Sequence, residues 1–301
     1  MTIVALVVVL ACGAGILAHR RQGERAGDAG RLVLRTMLYV LVPPVVFLNL
    51  ARLEIDADIG AGLALGWVSV ALAGAAAYLL ATRTLGLTRP QTGAVVNATI
   101  HPNTGYLGLP LTAALLGTEH LDEAIAYDVL VGTPTLLLAV FGVGAAFGTT
   151  AGDTVRDRIR VFFTRNPPLI AALLGLLAPD SLAPDVLVDA SRVLVFALLP
   201  LGFWAVGVTL AEEPRFPPPM TRRLGLALGL RLVLAPLLLL ALAAPLIDLP
   251  DAYLLLAAMP TGINGLVVAH AYGLDLSVAS GAVAWGTGVV LLVATALTLA
   301  T

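Results

Sequence analysis

The side chains with chemistry to offer gather in two short stretches. One runs His101, Pro102, Asn103, Thr104, Gly105 and on through Gly108 and Pro110. The other runs Pro260, Thr261, Gly262, Ile263, Asn264, Gly265. An Asn amide offers two donors and an acceptor, a Thr hydroxyl a donor and acceptor, and His titrates near neutral pH. Groups of these types hold a small polar ligand and carry protons. Bond-breaking chemistry is not indicated: the sequence has no HExxH, P-loop or GxSxG stretch, and its Ser, His and Asp residues keep no recognisable triad spacing. Cys12 is the single cysteine, which excludes an intrachain disulfide and a cysteine metal site. The reading is a binding protein rather than an enzyme, with no cofactor and no metal.

The elements that position these residues are transmembrane. The 301 residues are 59% hydrophobic and 12% charged, with mean hydropathy +0.96. A soluble chain carries about twice that charge. The net charge of −2 suggests no nucleic-acid partner. Apolar runs of about 20 residues suit helical spans. Ten are expected, over 2–19, 32–51, 59–82, 90–117, 121–148, 161–178, 186–211, 223–247, 250–273 and 276–300. The basic amphipathic stretch 153–163 leads into the sixth and is expected to lie at the interface.

Both polar stretches fall at mid-span. Pro102 has no N–H and disfavours helix at His101; Asn103 or Thr104 can then cap a new helix through Leu111–Leu116. Pro110 and Pro260 are read as further break points. Broken backbone at that depth is tolerated only where protein buries it or it lines a watery cavity. Two interrupted spans at corresponding places in the chain halves point to the binding site of an inverted-repeat transporter. The competing reading is a pair of Pro-kinked helices with small residues for packing. Gly105, Gly108, Gly262 and Gly265 are expected to let two crossing backbones approach closely.

Loop charge orients the chain. Odd loops carry 14 Arg (20, 21, 25, 31, 35, 83, 89, 156, 158, 160, 165, 215, 222 and 223), against Arg52 and Arg192 in the even loops. The even loops are acidic, with Glu54, Asp56 and Asp58 in the first of them. The positive-inside rule puts the odd loops in the cytoplasm and both termini outside, in the cytoplasmic membrane. Five spans per half then invert residues 155–301 relative to 1–150.

Asn103, Thr104, Gly105, Pro260, Thr261 and Asn264 are the expected substrate contacts, because inverted repeats bring the two breaks together. His101 is a candidate proton carrier at the centre, against the reading of a neutral, hydrogen-bonded His. Asp128 is a second candidate, expected at shallow depth in the outer third of span 5. Arg231, about two turns into span 8, is within snorkelling reach of the cytoplasmic face. The second halves of spans 4 and 9 both begin at the centre, so two helix N-termini are expected to hold an anion there together.

The motifs NTGYLGLPL at 103–111, Tyr127–Asp128, NPP at 166–168, MPTGIN at 259–264 and AYGLD at 271–275 resemble the auxin efflux carrier family, in its short bacterial malate- and malonate-permease-like branch. The resemblance covers the chain in length and span order. It implies an all-α fold of two inverted five-helix repeats with broken helices 4 and 9 crossing, similar to bile-acid symporters and sodium/proton antiporters. It implies a scaffold within 1–51 and 161–211, a mobile transport domain within 59–148 and 223–300, elevator-like access, a small organic anion as substrate and a homodimer in the bilayer. Proton or sodium coupling stays open. The crossover lacks the acidic pair of the sodium/proton antiporters, which argues against cation antiport. The alternative is a membrane-embedded receptor or scaffold without transport.

The charge asymmetry makes a direct prediction. A cysteine placed beside Arg156 will react only with a cytoplasmic thiol reagent, and one beside Asp185 only with an external one. Labelling of both from one side rules the ten-span topology out.

Overall fold

The computed structural model describes residues 2–52, 60–150, 154–212 and 218–300. Glu54, Asp56, Asp58 and Arg215 lie outside the described residues. Apart from one isolated β-bridge, the regular structure described is helical. That is the expected response of an apolar chain whose backbone groups must be satisfied internally.

The helices are α1 (Thr2–Gln22), α2 (Glu24–Thr36), α3 (Val42–Ala51), α4 (Gly60–Leu79), α5 (Arg89–Ile100), α6 (Leu109–Leu115), α7 (Leu121–Tyr127) and α8 (Phe141–Phe147) in the first half. The second half holds α9 (Val155–Thr164), α10 (Pro167–Leu177), α11 (Asp185–Glu212), α12 (Arg222–Gly229), α13 (Ala235–Ala243), α14 (Asp251–Ala257), α15 (Ile263–Tyr272) and α16 (Leu276–Ala300). Several join end to end. Among the described residues, five continuous stretches are long and apolar enough to cross a bilayer: Glu24–Leu48, Gly60–Thr84, Glu123–Phe147, Arg222–Ala243 and Leu276–Leu297.

The joints inside these stretches, and one in the interrupted span around Pro110, are π-helical. Four such segments, Met37–Leu41, Thr104–Gly108, Asp128–Gly132 and Leu230–Leu234, each end two residues before a proline: Pro43, Pro110, Pro134 and Pro236. A proline in a helix lacks an N–H and its ring collides with the carbonyl four residues back. Widening the preceding turn moves that carbonyl away and lets the helix continue. Pro110 therefore does not break span 4. It sits in the first turn of α6, directly after the widened segment.

The sixth expected span, 161–178, is not one helix. α9 ends at Thr164, and a new helix starts at Pro167, where the Asn166 side chain accepts from the Leu169 N–H at 3.1 Å. α10 is 11 residues long. At about 1.5 Å per residue it reaches only half the hydrocarbon thickness. The N-cap plus Pro-Pro signal overrides the apolar run. In α9 the exposed Ile159 and Phe163 lie one turn apart, as do Arg156 and Arg160.

Two groups of helices result. α1, α2, α3, α10 and α11 pack mainly on one another; α4 to α8 and α12 to α16 form the other group. α1 and α11 cross in backbone contact. A Cβ on Gly15 would lie 2.1 Å from the Trp204 carbonyl oxygen, and one on Gly207 would lie 2.1 Å from that of Cys12. α3 meets α10 the same way at Gly175, whose Cβ would lie 2.6 Å from the Phe47 carbonyl oxygen. The two groups meet where α15 and α16 pack on α2 and α11. The arginine-bearing ends of both gather at one end of the molecule. There Arg31 pairs with Glu212, Arg223 with Asp275, and Arg165 donates to the Ala271 carbonyl. Arg52 pairs with Asp185 at the other end.

Gly207→Ala will therefore lower the unfolding temperature of the purified protein, since forcing a methyl into a filled contact costs about 1–3 kcal/mol. Gly13→Ala, whose Cβ meets nothing within 4 Å, is the control and will leave it unchanged. Equal behaviour of the two variants in a thermal melt refutes the close crossing.

Candidate functional site

The two interrupted spans meet at their breaks. α5 stops at Ile100, and Pro102 pairs with Thr261 as an antiparallel β-bridge. The Asn103 N–H donates to the Pro260 carbonyl at 2.7 Å, and the Gly262 N–H donates to the His101 carbonyl at 2.8 Å. Each break thus supplies the hydrogen bonds the other lacks. Pro102 and Pro260 stand where their missing N–H groups cost no bond. Packing is tight: a Cβ on Gly262 would lie 2.6 Å from His101 Nε2, and one on Gly108 would lie 3.2 Å from Met259 Cγ. Gly265 is in ordinary contact only, with Thr261 Cγ2 at 3.7 Å.

The first half-helices, α5 and α14, end at this point with free carbonyls. Arg231 answers both. Its Nη1 donates to the Thr99 carbonyl at 2.8 Å, and its Nη2 donates to the Ala257 carbonyl. The Thr261 hydroxyl donates to the Ala98 carbonyl at 2.8 Å. Arg231 is 2% exposed, so the snorkelling expectation is wrong. Two helix C-termini carry roughly half a negative charge each, so one guanidinium about matches the pair. The planar fork can span two acceptors, which an ammonium holds less well.

The second half-helices begin at Thr104 and Ile263. The first is not open to an anion. The Thr104 hydroxyl donates to Asp128, and a Cβ on Gly105 would lie 3.3 Å from Asp128 Oδ2. Asp128 is therefore level with the break, not shallow, and the expectation of two equivalent N-termini fails. The second, at Ile263, has no side-chain cap. Its next residue, Asn264, is half-buried, interacts with Tyr106, and lines a small cavity with Leu38, Val42 and Val267.

The expected residues thus divide by task. Asn103, Thr104, Gly105, Pro260, Thr261 and Asn264 all come to the crossover, with His101 and Asp128. Thr261 is committed to backbone. Asn103 is 3% exposed and makes no side-chain cap; its Nδ2 has no hydrogen-bond partner among the described residues, nor has either ring nitrogen of His101. Buried polar groups of this kind are normally met by water or a ligand. Arg231 and Tyr106 were not marked as site residues by sequence. A usable signal existed for Arg231 and Asp128. In an antiparallel helix hairpin, residues equidistant from the turn lie level with each other. Counted from the middle of the turns 116–120 and 244–250, Asp128 falls opposite Gly108 and Arg231 opposite Ile263, both at the crossover.

These features, two broken helices crossing inside an apolar bundle with polar groups at the centre, define a membrane transport protein. The chain belongs to the family described as membrane transport protein, whose profile it matches over residues 1–146 and 161–298. That family includes the auxin-efflux and malate/malonate-type secondary carriers, and is not an enzyme family. The chain is 28% identical over 296 residues to an uncharacterized transporter of Methanothermobacter thermautotrophicus, covering 95% of this chain and 93% of the relative. It is 24% identical over 266 residues to an uncharacterized transporter of Methanocaldococcus jannaschii, covering 83% and 82%.

Arg231→Met will leave two buried carbonyl ends without donors, at about 1–3 kcal/mol for each unsatisfied group. Its thermal stability will fall well below wild type, with Arg231→Lys between the two. A Met variant as stable as wild type removes the capping role.

Proposed function

We propose that the chain is a secondary transporter that moves a small organic anion, a carboxylate of the malate, malonate or auxin-like kind, across the cytoplasmic membrane. Ten membrane segments, the sixth of them the short α10, form two inverted five-helix repeats. Segments within 1–51 and 161–211 act as the scaffold and dimer interface, and segments within 59–148 and 223–300 move as an elevator, exposing the crossover to each side in turn. The observation that carries the reading is the uncapped N-terminus of α15 beside Asn264, at the meeting point of the two breaks.

A carboxylate fits there through free N–H groups, the positive helix end and the Asn264 amide. Asn103 adds a donor from the other repeat. Low dielectric strengthens each of these interactions. An amine of the same shape meets the wrong sign of potential at α15.

His101 and Asp128 are the proposed proton carriers. A carboxyl beside Thr104 at mid-depth is a functional candidate by its cost alone.

Proteoliposomes test the reading. They will accumulate malonate or a related acid and not a matched amine. Asn264→Ala and Asn103→Ala will each weaken binding by about 1–3 kcal/mol, the range for a hydrogen bond to a charged group. Folded protein that accumulates no organic acid, or binds one unchanged in both variants, overturns it. The same assay across about pH 5 to 8 assigns coupling: a profile flattened by His101→Gln selects His101, one flattened by Asp128→Asn selects Asp128, and a flat wild-type profile removes both.

A further inference from the structure

A second cavity, of about 500 Å³, opens at the arginine-rich end of the molecule, away from the crossover. Its volume is in the usual range for a small-molecule site. α2 and the widened turn after it supply Arg35 and Tyr39 on one side; Arg165 enters from the joint between α9 and α10; His270 and Ala271 come from the far end of α15. The cavity thus lies between the two helix groups. It adjoins the inner site: Leu38 and Val267 line both this cavity and the small one that reaches Asn264.

The charges around it are unevenly compensated. Arg31, one turn before Arg35, is neutralised by Asp28 at 2.7 Å and Glu212 at 3.2 Å. Arg35 has no carboxylate partner among the described residues. Arg165 spends Nη1 on uncharged acceptors, the Thr150 hydroxyl at 2.5 Å and the Ala271 carbonyl at 2.7 Å. That anchors its guanidinium at the wall and leaves its charge without a carboxylate partner among the described residues. Two uncompensated guanidinium groups face one cavity bounded by low-dielectric walls. Such a geometry focuses potential and concentrates counter-ions. Guanidinium planes also match a carboxylate fork.

We propose that this cavity is a second anion site, in which Arg35 and Arg165 hold a carboxylate on its way to or from Asn264. What it stages rests on the transporter reading; that it binds a carboxylate does not. A fixed pair of charges at the mouth gathers the anion without desolvating it fully, and the inner site completes the desolvation. Arg165 ties the two helix groups together through Ala271, so a carboxylate at this place sits on their junction.

The experiment uses the full chain with Cys12→Ala and Tyr39→Cys, Tyr39 being 46% exposed at the cavity. Nanodiscs of phosphatidylcholine are used, so that no anionic lipid occupies the arginines first. A sulfonate-bearing thiol reagent will react faster than a trimethylammonium one. Arg35→Gln will lower that ratio about tenfold, at the low end of charge-focusing effects, while Arg31→Gln leaves it within about twofold. Malonate will slow labelling, and will still do so with Asn264→Ala added, but not with Arg35→Gln. Protection lost with Asn264→Ala and kept with Arg35→Gln places the anion at the crossover alone and overturns the proposal, as does absence of protection. Protection without uptake of malonate or any related acid in liposomes overturns the transporter reading and leaves this site standing.

Discussion

An unpaired peptide group in the middle of a membrane is the constraint on which the structure turns. Interrupting two helices there frees carbonyls on one side of each gap and N–H groups on the other. The chain meets that demand by laying one gap across the other. His101 and Asn103 bond to Gly262 and Pro260, and Arg231 reaches the carbonyls of both incoming half-helices. The arrangement holds only if the backbones come close, which is why Gly262 lies under the His101 ring and Gly108 against Met259. Removing either break would strand the polar groups of the other.

The backbone of the crossover is nearly symmetric; its charges are not. One guanidinium serves both helix C-termini, whereas the carboxyl of Asp128 covers only one of the two N-termini. The remaining N-terminus, at Ile263, is the place where positive potential stays available. A ligand bound by such a site has a preferred end as well as a preferred charge. The Asn103 Nδ2 and both ring nitrogens of His101, without hydrogen-bond partners among the described residues, lie on the side of the first break.

Sequence revealed the breaks because their residues are costly in an apolar helix. Pro, Asn and His together at mid-span have few structural explanations, and two such clusters have fewer. Depth was harder to read. Asp128 and Arg231 were placed by counting from the nearest membrane face, which assumes straight helices of full length. α14 is only 7 residues against 10 for α15, so the break in the ninth span lies nearer one end of it. Counting outward from the hairpin turns carries no such assumption and puts both residues level with the crossover. The sixth expected span failed for a different reason. An apolar run of that length reads as one span, but the Asn166-Pro167-Pro168 start signal cuts it and leaves the short α10.

The widened turns before Pro43, Pro110, Pro134 and Pro236 have an effect on helical phase. Each accommodates an extra residue, and one residue is about 100° of rotation about the axis. Beyond such a turn, a side chain faces roughly a quarter-circle or more away from where uniform 3.6-residue arithmetic would put it. Aligning the two halves of the chain residue by residue then goes out of step at every such turn that only one half possesses. The widened turn at 37–41, before Pro43, has no equivalent in the continuous α11 around Pro200. Likeness between the halves, where it exists, is to be sought in the azimuth of side chains around each axis rather than in their order along it.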